Sequence, residues 1–221
     1  MCGFCGFSGE VLNRDEVIRA MTEKITHRGP DSEGYYLSED IGCDSIAIGF
    51  RRLSIIDLEG GHQPIFNEDK SLVLVFNGEI YNYRTLRAEL IEKGHVFSTE
   101  SDSEVLLHGF EEWKEGLLTR LRGMFAFAIW DTASHSLFIA RDYFGIKPMH
   151  YTLLPDRRII FASEIKSMLA HPDFKCEFNE NALDGYLSFQ YSVPDETFFK
   201  NVYCLPPSHY LWYKSGEISV N

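Results

Sequence analysis

No stretch of this 221-residue chain is apolar for long enough to span a bilayer, which takes about 20 consecutive apolar residues. Positive charge is scarce: 21 Lys and Arg stand against 33 Asp and Glu, a net charge of −12. That balance excludes the basic footprint that nucleic acids and anionic membrane surfaces require, so neither is expected as a partner. Five cysteines (Cys2, Cys5, Cys43, Cys176 and Cys204) are too few and too scattered for a disulfide scaffold. The first residues hold no basic segment leading into an apolar one, the mark of a secretory signal. A reducing, cytoplasmic location is the expectation. Zinc motifs are short of ligands: the pair Cys2-x-x-Cys5 has no second such pair and no H-x₃₋₅-H to complete a structural site. Repeats, low-complexity tracts and charged linkers are also missing, and 44% hydrophobic residues suit a sizeable core. One domain over 1–221 is the expectation.

Strand patterns dominate what is present. GFCGFSG reads as a Gly-rich first strand, and SIAIGF, SLVLVF, RGMFAFAIWD, HSLFIARD, HYTLL, RIIFAS and a last strand near YLWYK follow. Helical spacing marks NRDEVIRAMTEKITH, with Asn13 able to cap it, and YRTLRAELIEKG, closed by Gly94. It also marks TESDSEVLLHGFEEWKEG, with Ser101 or Asp102 as cap, and then SEIKSMLAH and NENALDGYLSF. EGGHQP and HRGPDSEG read as loops. Strands in adjacent pairs with grouped helices favour an α+β layered fold over a doubly wound one. Runs such as FAFAIW, apolar on both faces, suit two antiparallel sheets facing each other and are read as sheet core.

Polar residues gather in otherwise apolar company at Cys2, HRGPD (27–31), RRLSIID (51–57), FNGEIYN (76–82) and SDSEVLL (101–107). Cys2 admits three readings on residue type alone. Loss of Met1 would leave its thiol and a free α-amine on one Cα; with Cys5 it would form a redox dithiol; or it is a buried passenger. Asn77-Gly78 is by itself a strong hairpin-turn signal, and Asp102 by itself a helix cap.

In combination these segments resemble the glutaminase domain of glutamine-hydrolysing asparagine synthetases, among the class II, N-terminal-nucleophile amidotransferases. MCGFCGF, THRGPDSEG, RRLSIIDLEGGHQPIFN, VFNGEIYNYRTLRAEL, STESDSEVLLH, ARDYFGIKP and NVYCLPPSHYL carry the resemblance in the family's order across nearly the whole chain. It implies a four-layer α/β/β/α sandwich of two facing antiparallel sheets. It also implies hydrolysis of L-glutamine to L-glutamate and ammonia through a cysteinyl thioester. Met1 would be removed, making residues 2–221 the mature domain. The Cys2 thiol would be the nucleophile, and its own α-amine, titrating near about 7.7–8.0, the proton carrier. Asn77 and Gly78 would hold the oxyanion. Arg52, with Leu53, Ser54, Ile55 and Ile56, would line the glutamine site; Glu79 and Asp102 would take the substrate ammonium.

His27 is read as part of a loop-ordering motif with Arg28 and Asp31, and Arg51 as a second-layer or surface charge. His62, His95 and His108 are read as surface or core residues without a shared task. Cys5, where the family has an apolar or small residue, is read as a buried passenger thiol, and Ser208 stands where relatives more often carry glycine. No cofactor or metal is expected in this domain; ATP and Mg²⁺ belong to a C-terminal synthetase domain that would amidate aspartate and has no counterpart in these residues. That domain is the expected partner, so the chain reads as part of a longer protein, or else as a stand-alone glutaminase. A homodimer is compatible with the sequence and not fixed by it. A non-catalytic or redox-regulated relative, or an amidotransferase for another carboxylate, is the alternative.

Overall fold

Side-chain alternation sorts this chain into layers. In GMFAFAIWD, Phe125, Phe127 and Ile129 turn to one side and Ala126, Ala128 and Trp130 to the other, and all six are buried. A strand apolar on both faces must lie between two other layers. The structure is a computed structural model describing residues 1–40, 42, 45–53, 62–191 and 195–221. Its elements in chain order are β1 (Gly3–Ser8), α1 (Arg14–Glu23), β2 (Ser32–Leu37), β3 (Ile46–Arg52), β4 (Ile65–Phe66), β5 (Leu72–Ile80), α2 (Tyr83–Glu92), α3 (Asp102–Trp113) and α4 (Leu117–Arg120). There follow β6 (Gly123–Asp131), β7 (Ser136–Arg141), β8 (His150–Leu153), β9 (Ile159–Ala162), α5 (Ile165–Met168), α6 (Glu180–Phe189), β10 (Tyr203–Cys204), β11 (Tyr210–Lys214) and β12 (Glu217–Val220).

Two six-stranded sheets form, ordered β10-β8-β9-β1-β3-β2 and β12-β11-β7-β6-β5-β4, and the strand pairs within them are antiparallel. Between the sheets lies a core of Phe4, Ile46, Ile48, Phe50, Val73, Val75, Trp130 and Ile139 among others. On the outer face of the first sheet, α1 and α5 bury Ile18, Met21 and Met168 against Cys5, Phe7 and Ala162. Leu86, Leu90, Val105, Leu106 and Phe110 of α2 and α3 cover Phe125, Phe127 and Phe138 on the second sheet. The order of layers is therefore α/β/β/α, as the family resemblance implies.

Some local expectations differ from what forms. Asn13 precedes α1 in a left-handed conformation (φ 59) and makes no capping bond; its amide donates to Glu16 at 3.0 Å instead. SEG, read as the end of the HRGPDSEG loop, instead opens β2 (SEGYYL), which pairs along β3 from Ser32↔Arg52 to Leu37↔Ala47. YLWYK is followed by one more strand, β12, and SEIKSMLAH yields only the one-turn α5. Gly94 does close α2 (φ 100), and Ser101 caps α3, its Oγ accepting from Ser103 N at 3.3 Å.

Candidate active site

β1 starts one residue after Cys2, and antiparallel pairing sets Gly3 opposite Arg51 on β3. The head of β1 and the end of β3 therefore meet at one edge of the first sheet. There the Cys2 thiol sits between the backbone groups of Leu53, 3.4 Å from its N–H and 3.7 Å from its carbonyl oxygen. Arg28 fixes the same residue from outside, its Nε donating to the Cys2 carbonyl at 2.9 Å while Nη1 reaches Glu164 at 2.9 Å. Glu164 also meets His27 at 2.9 Å and Lys166 at 3.3 Å. Burial raises the Glu164 carboxyl, but the hydrogen bonds from Arg28, His27 and Lys166 outweigh it and hold it at about 2. His27 itself is half exposed and turned to this cluster, and Asp31 N donates to the Arg52 carbonyl at 3.1 Å. The segment thus orders the loop beside Cys2. Arg51 pairs across the sheet with Glu33 at 2.8 Å, the bland role expected of it.

From the facing sheet comes the end of β5. Asn77-Gly78 is not a turn: it lies within the strand, paired with Ala126 and Phe125 of β6. Long-range pairing along all nine residues of β5 overrides the local turn preference. The glycine is required by close approach, since a Cβ at 78 would lie 2.2 Å from the Met124 carbonyl oxygen. Asn77 is buried (2% exposed), and its Nδ2 has no hydrogen-bond partner among the described residues. Orphaned buried donors are costly and uncommon, so this amide points to a ligand oxygen. Gln63 props the strand from its free edge by side-chain bonds that imitate strand pairing: Nε2 donates to the Phe76 carbonyl at 3.1 Å and Phe76 N donates to Oε1 at 2.6 Å.

These groups line one cleft of about 200 Å³ with Met1, Arg52, Leu53, Glu79, Ser101, Asp102, Ser103, Met124 and Lys147. Arg52 is buried and Glu79 exposed. Because Ser101 caps α3, Asp102 is free of that duty, and its Oδ2 accepts from Ile80 N at 2.8 Å. Burial pushes the Asp102 carboxyl up, the Ile80 bond works against this, and the charge of Glu79 adds to the rise. Two carboxylates facing one cleft with that strain favour a cation between them. Of the residues expected to line a glutamine site, Cys2, Arg52, Leu53, Asn77, Gly78, Glu79 and Asp102 converge here; Ser54, Ile55 and Ile56 lie outside the described residues. Gln63, Met124, Ser103 and Lys147 were missed from sequence. Lys147 is buried, its Nζ 3.2 Å from the Met1 sulfur, and burial, with the charge of Arg28, pulls its ammonium down. Only its place in a glycine–proline loop (GIKP) hinted at it.

Cys5 faces the other way. It is buried under α1 with its thiol 3.5 Å from Thr22 Oγ1, and desolvation pushes that thiol up to about 11. Cys2 instead packs against the core between the sheets. A Cys2–Cys5 dithiol would require residues on opposite faces of β1 to meet, so the passenger reading of Cys5 fits the geometry.

Solved structures share this four-layer sandwich. A solved glutamine phosphoribosylpyrophosphate amidotransferase from B. subtilis shares it over 100% of this chain and 49% of its own, at TM-score 0.71 and 18% identity. A solved allosteric regulatory enzyme of purine biosynthesis does so at TM-score 0.72 and 19% identity, over 100% and 48%. Sequence comparison goes further: residues 1–221 match the family of glutamine amidotransferase domains, and the chain belongs to that family. It is 49% identical over 201 residues to asparagine synthetase (glutamine-hydrolyzing) 1 of Bacillus subtilis (strain 168), covering 88% of this chain and 30% of that protein. To the synthetase numbered 2 of the same organism it is 42% identical over 221 residues, covering 96% and 28%. The chain thus spans about a third of the length of the curated relatives it matches.

Proposed function

We propose that the chain is the glutaminase half of a glutamine-hydrolysing asparagine synthetase, a single amidotransferase domain over residues 1–221 that matures to 2–221. The observation that carries this reading is the Cys2 thiol held at the rim of a cleft that also receives the buried, unpartnered amide of Asn77. With Met1 removed, the Cys2 α-amine takes the thiol proton and the sulfur attacks the carboxamide carbon of glutamine. Asn77 Nδ2 and the Gly78 N–H stabilise the tetrahedral oxyanion. The C–N bond then breaks, the amine returns the proton, and ammonia leaves a γ-glutamyl thioester. Water attacks that thioester to release glutamate and restore the thiol.

Arg52 takes the substrate α-carboxylate, a bidentate match for a guanidinium. Glu79 and Asp102 take its ammonium, which relieves the repulsion between them. With Met1 attached the nitrogen is an amide and has no useful basicity, and the Met1 side chain itself occupies part of the cleft. The ammonia passes to a C-terminal synthetase domain that holds ATP and Mg²⁺ and amidates activated aspartate. The exposed apolar side chains of Leu187 and Phe189 at the end of α6 suit such a neighbour.

The test is ammonia release from glutamine by the mature chain, with Cys2→Ala beside it. Release by the native chain and none by the variant supports the reading; equal rates, or no release by fully matured protein, overturn it.

A further inference from the structure

Sequence gives His95 and His108 no common task, yet the fold brings them together with Glu111. One donor atom from each of the three lies within 4.8 Å of the others. Glu111 Oε2 is 2.9 Å from His108 Nδ1 and 3.6 Å from His95 Nδ1. None of the three lines the catalytic cleft. His108 and Glu111 stand one turn apart on α3, and His95 belongs to the segment joining α2 to α3.

What distinguishes the cluster is that the far end of each side chain is also held. His108 Nε2 faces Glu104 Oε1 at 3.6 Å, and Glu104 is itself fixed by bonds from the N–H and hydroxyl of both Ser98 and Thr99. Glu111 Oε1 accepts from Asn67 Nδ2 at 2.7 Å. His95 Nε2 faces Glu112 Oε2 at 3.6 Å, and the other oxygen of Glu112 takes Lys93 Nζ at 2.7 Å. A ring edge of Phe97, 4.6 Å centroid to centroid from His108, walls the cluster. Carboxylate or amide partners behind each donor are the arrangement that orients metal ligands and makes imidazole a better base.

We propose that His95, His108 and Glu111 form a binding site for a divalent transition-metal cation of the zinc, cobalt or nickel class, which staples the α2–α3 connection to the middle of α3. Two imidazoles and one carboxylate are the donor set such ions prefer. Donors about 2.0–2.2 Å from one tetrahedral ion sit roughly 3.3–3.5 Å apart. The two distances to Glu111 bracket that separation, and a small inward movement of His95 completes the third; water takes the remaining position. Glu104, Glu111 and Glu112 surround the site, against the Lys93 ammonium on Glu112 and the Arg87 guanidinium over the Phe97 ring, so the local charge favours a cation.

The experiment is titration of chelator-treated full chain with Co²⁺ at neutral pH, followed by visible absorption. One equivalent should bind with the d–d bands of nitrogen and oxygen ligation and no thiolate charge-transfer band, and Zn²⁺ should displace it and raise Tm. His95→Ala should lose the bands. Glu112→Gln, which leaves all three ligands in place, should weaken binding by about 10–100-fold. Metal-free melting of each variant shows whether it folds; if His95→Ala does not, Glu112→Gln decides. Absence of saturable bands, a thiolate band that places the ion on cysteine, or unchanged affinity in both folded variants overturns the site.

Discussion

Asn77 and Asp102 sit on the same cleft, and the proposed function divides the work of chemistry and binding between them. On that proposal the Asn77 amide, without a partner among the described residues, bonds best to the oxyanion, so its loss falls on the transition state. Asn77→Ala should lower kcat by about 10²–10³-fold with little change in KM. Asp102 meets a charge that substrate carries from the start, so Asp102→Ala should mainly raise KM. Steady-state kinetics on both variants checks the split; an unchanged KM in Asp102→Ala removes the head-group assignment. At this scale the sequence was informative through the family resemblance, which singled out Cys2, Asn77 and Arg52, whereas residue type alone left Cys2 three readings and Asn77-Gly78 a hairpin turn. Lys147 and Gln63 were not legible, because a lysine in a loop and a glutamine beside a proline acquire meaning only from what they touch: Met1 sulfur and the Phe76 backbone.

β5 and β6 approach so closely at the cleft that the second sheet has no room for a side chain at 78. A methyl there meets the Met124 carbonyl at 2.2 Å and the Phe125 Cα at 2.8 Å, both backbone atoms that cannot swing aside. Gly78→Ala should therefore destabilise by about 1–3 kcal/mol and displace Asn77; a melt in denaturant and a kcat measurement on the same sample read both effects. Periodicity made most such elements visible, since β5, β6 and α3 carry their patterns over 9 to 12 residues. The elements that escaped depend on partners far away in sequence. β2 has no buried face of its own to announce it and exists through its ladder to β3. Asn13 reads as a cap but takes a left-handed turn, its side chain spent on Glu16. Ser208 explains itself in the opposite sense: its φ of 66 lies where glycine is at ease, which is why glycine is the residue expected there.

The whole molecule depends on three apolar layers, and the layer beneath α1 contains a titratable group. His171 is 2% exposed, its ring edge-on to Phe7 at 4.8 Å. Burial pulls it down to about 4, with the opposing charge of Asp173 too weak to restore it. The unfolded chain binds a proton near about 6.5, so folding stability from this group is whole above that pH and drains away as pH falls toward about 4, on the order of 3 kcal/mol. Denaturant midpoints between those limits should fall in native protein and fall less in His171→Phe; parallel curves contradict this. Two facing sheets were legible because FAFAIW is apolar on both faces, and the resemblance supplied the outer helical layers, whereas the meeting of His95 with His108 was not legible, since residues 13 apart share no pattern until α2 and α3 pack together.

The proposed function rests on the nitrogen of Cys2, which can serve as a base only when nothing precedes it. The direct measurement takes chain that retains Met1, adds a methionine aminopeptidase, and follows intact mass and ammonia release from glutamine in the same tube. Ammonia release should be absent at the start and rise in proportion to the fraction that has lost methionine. Full-rate release before any methionine is lost would contradict the account.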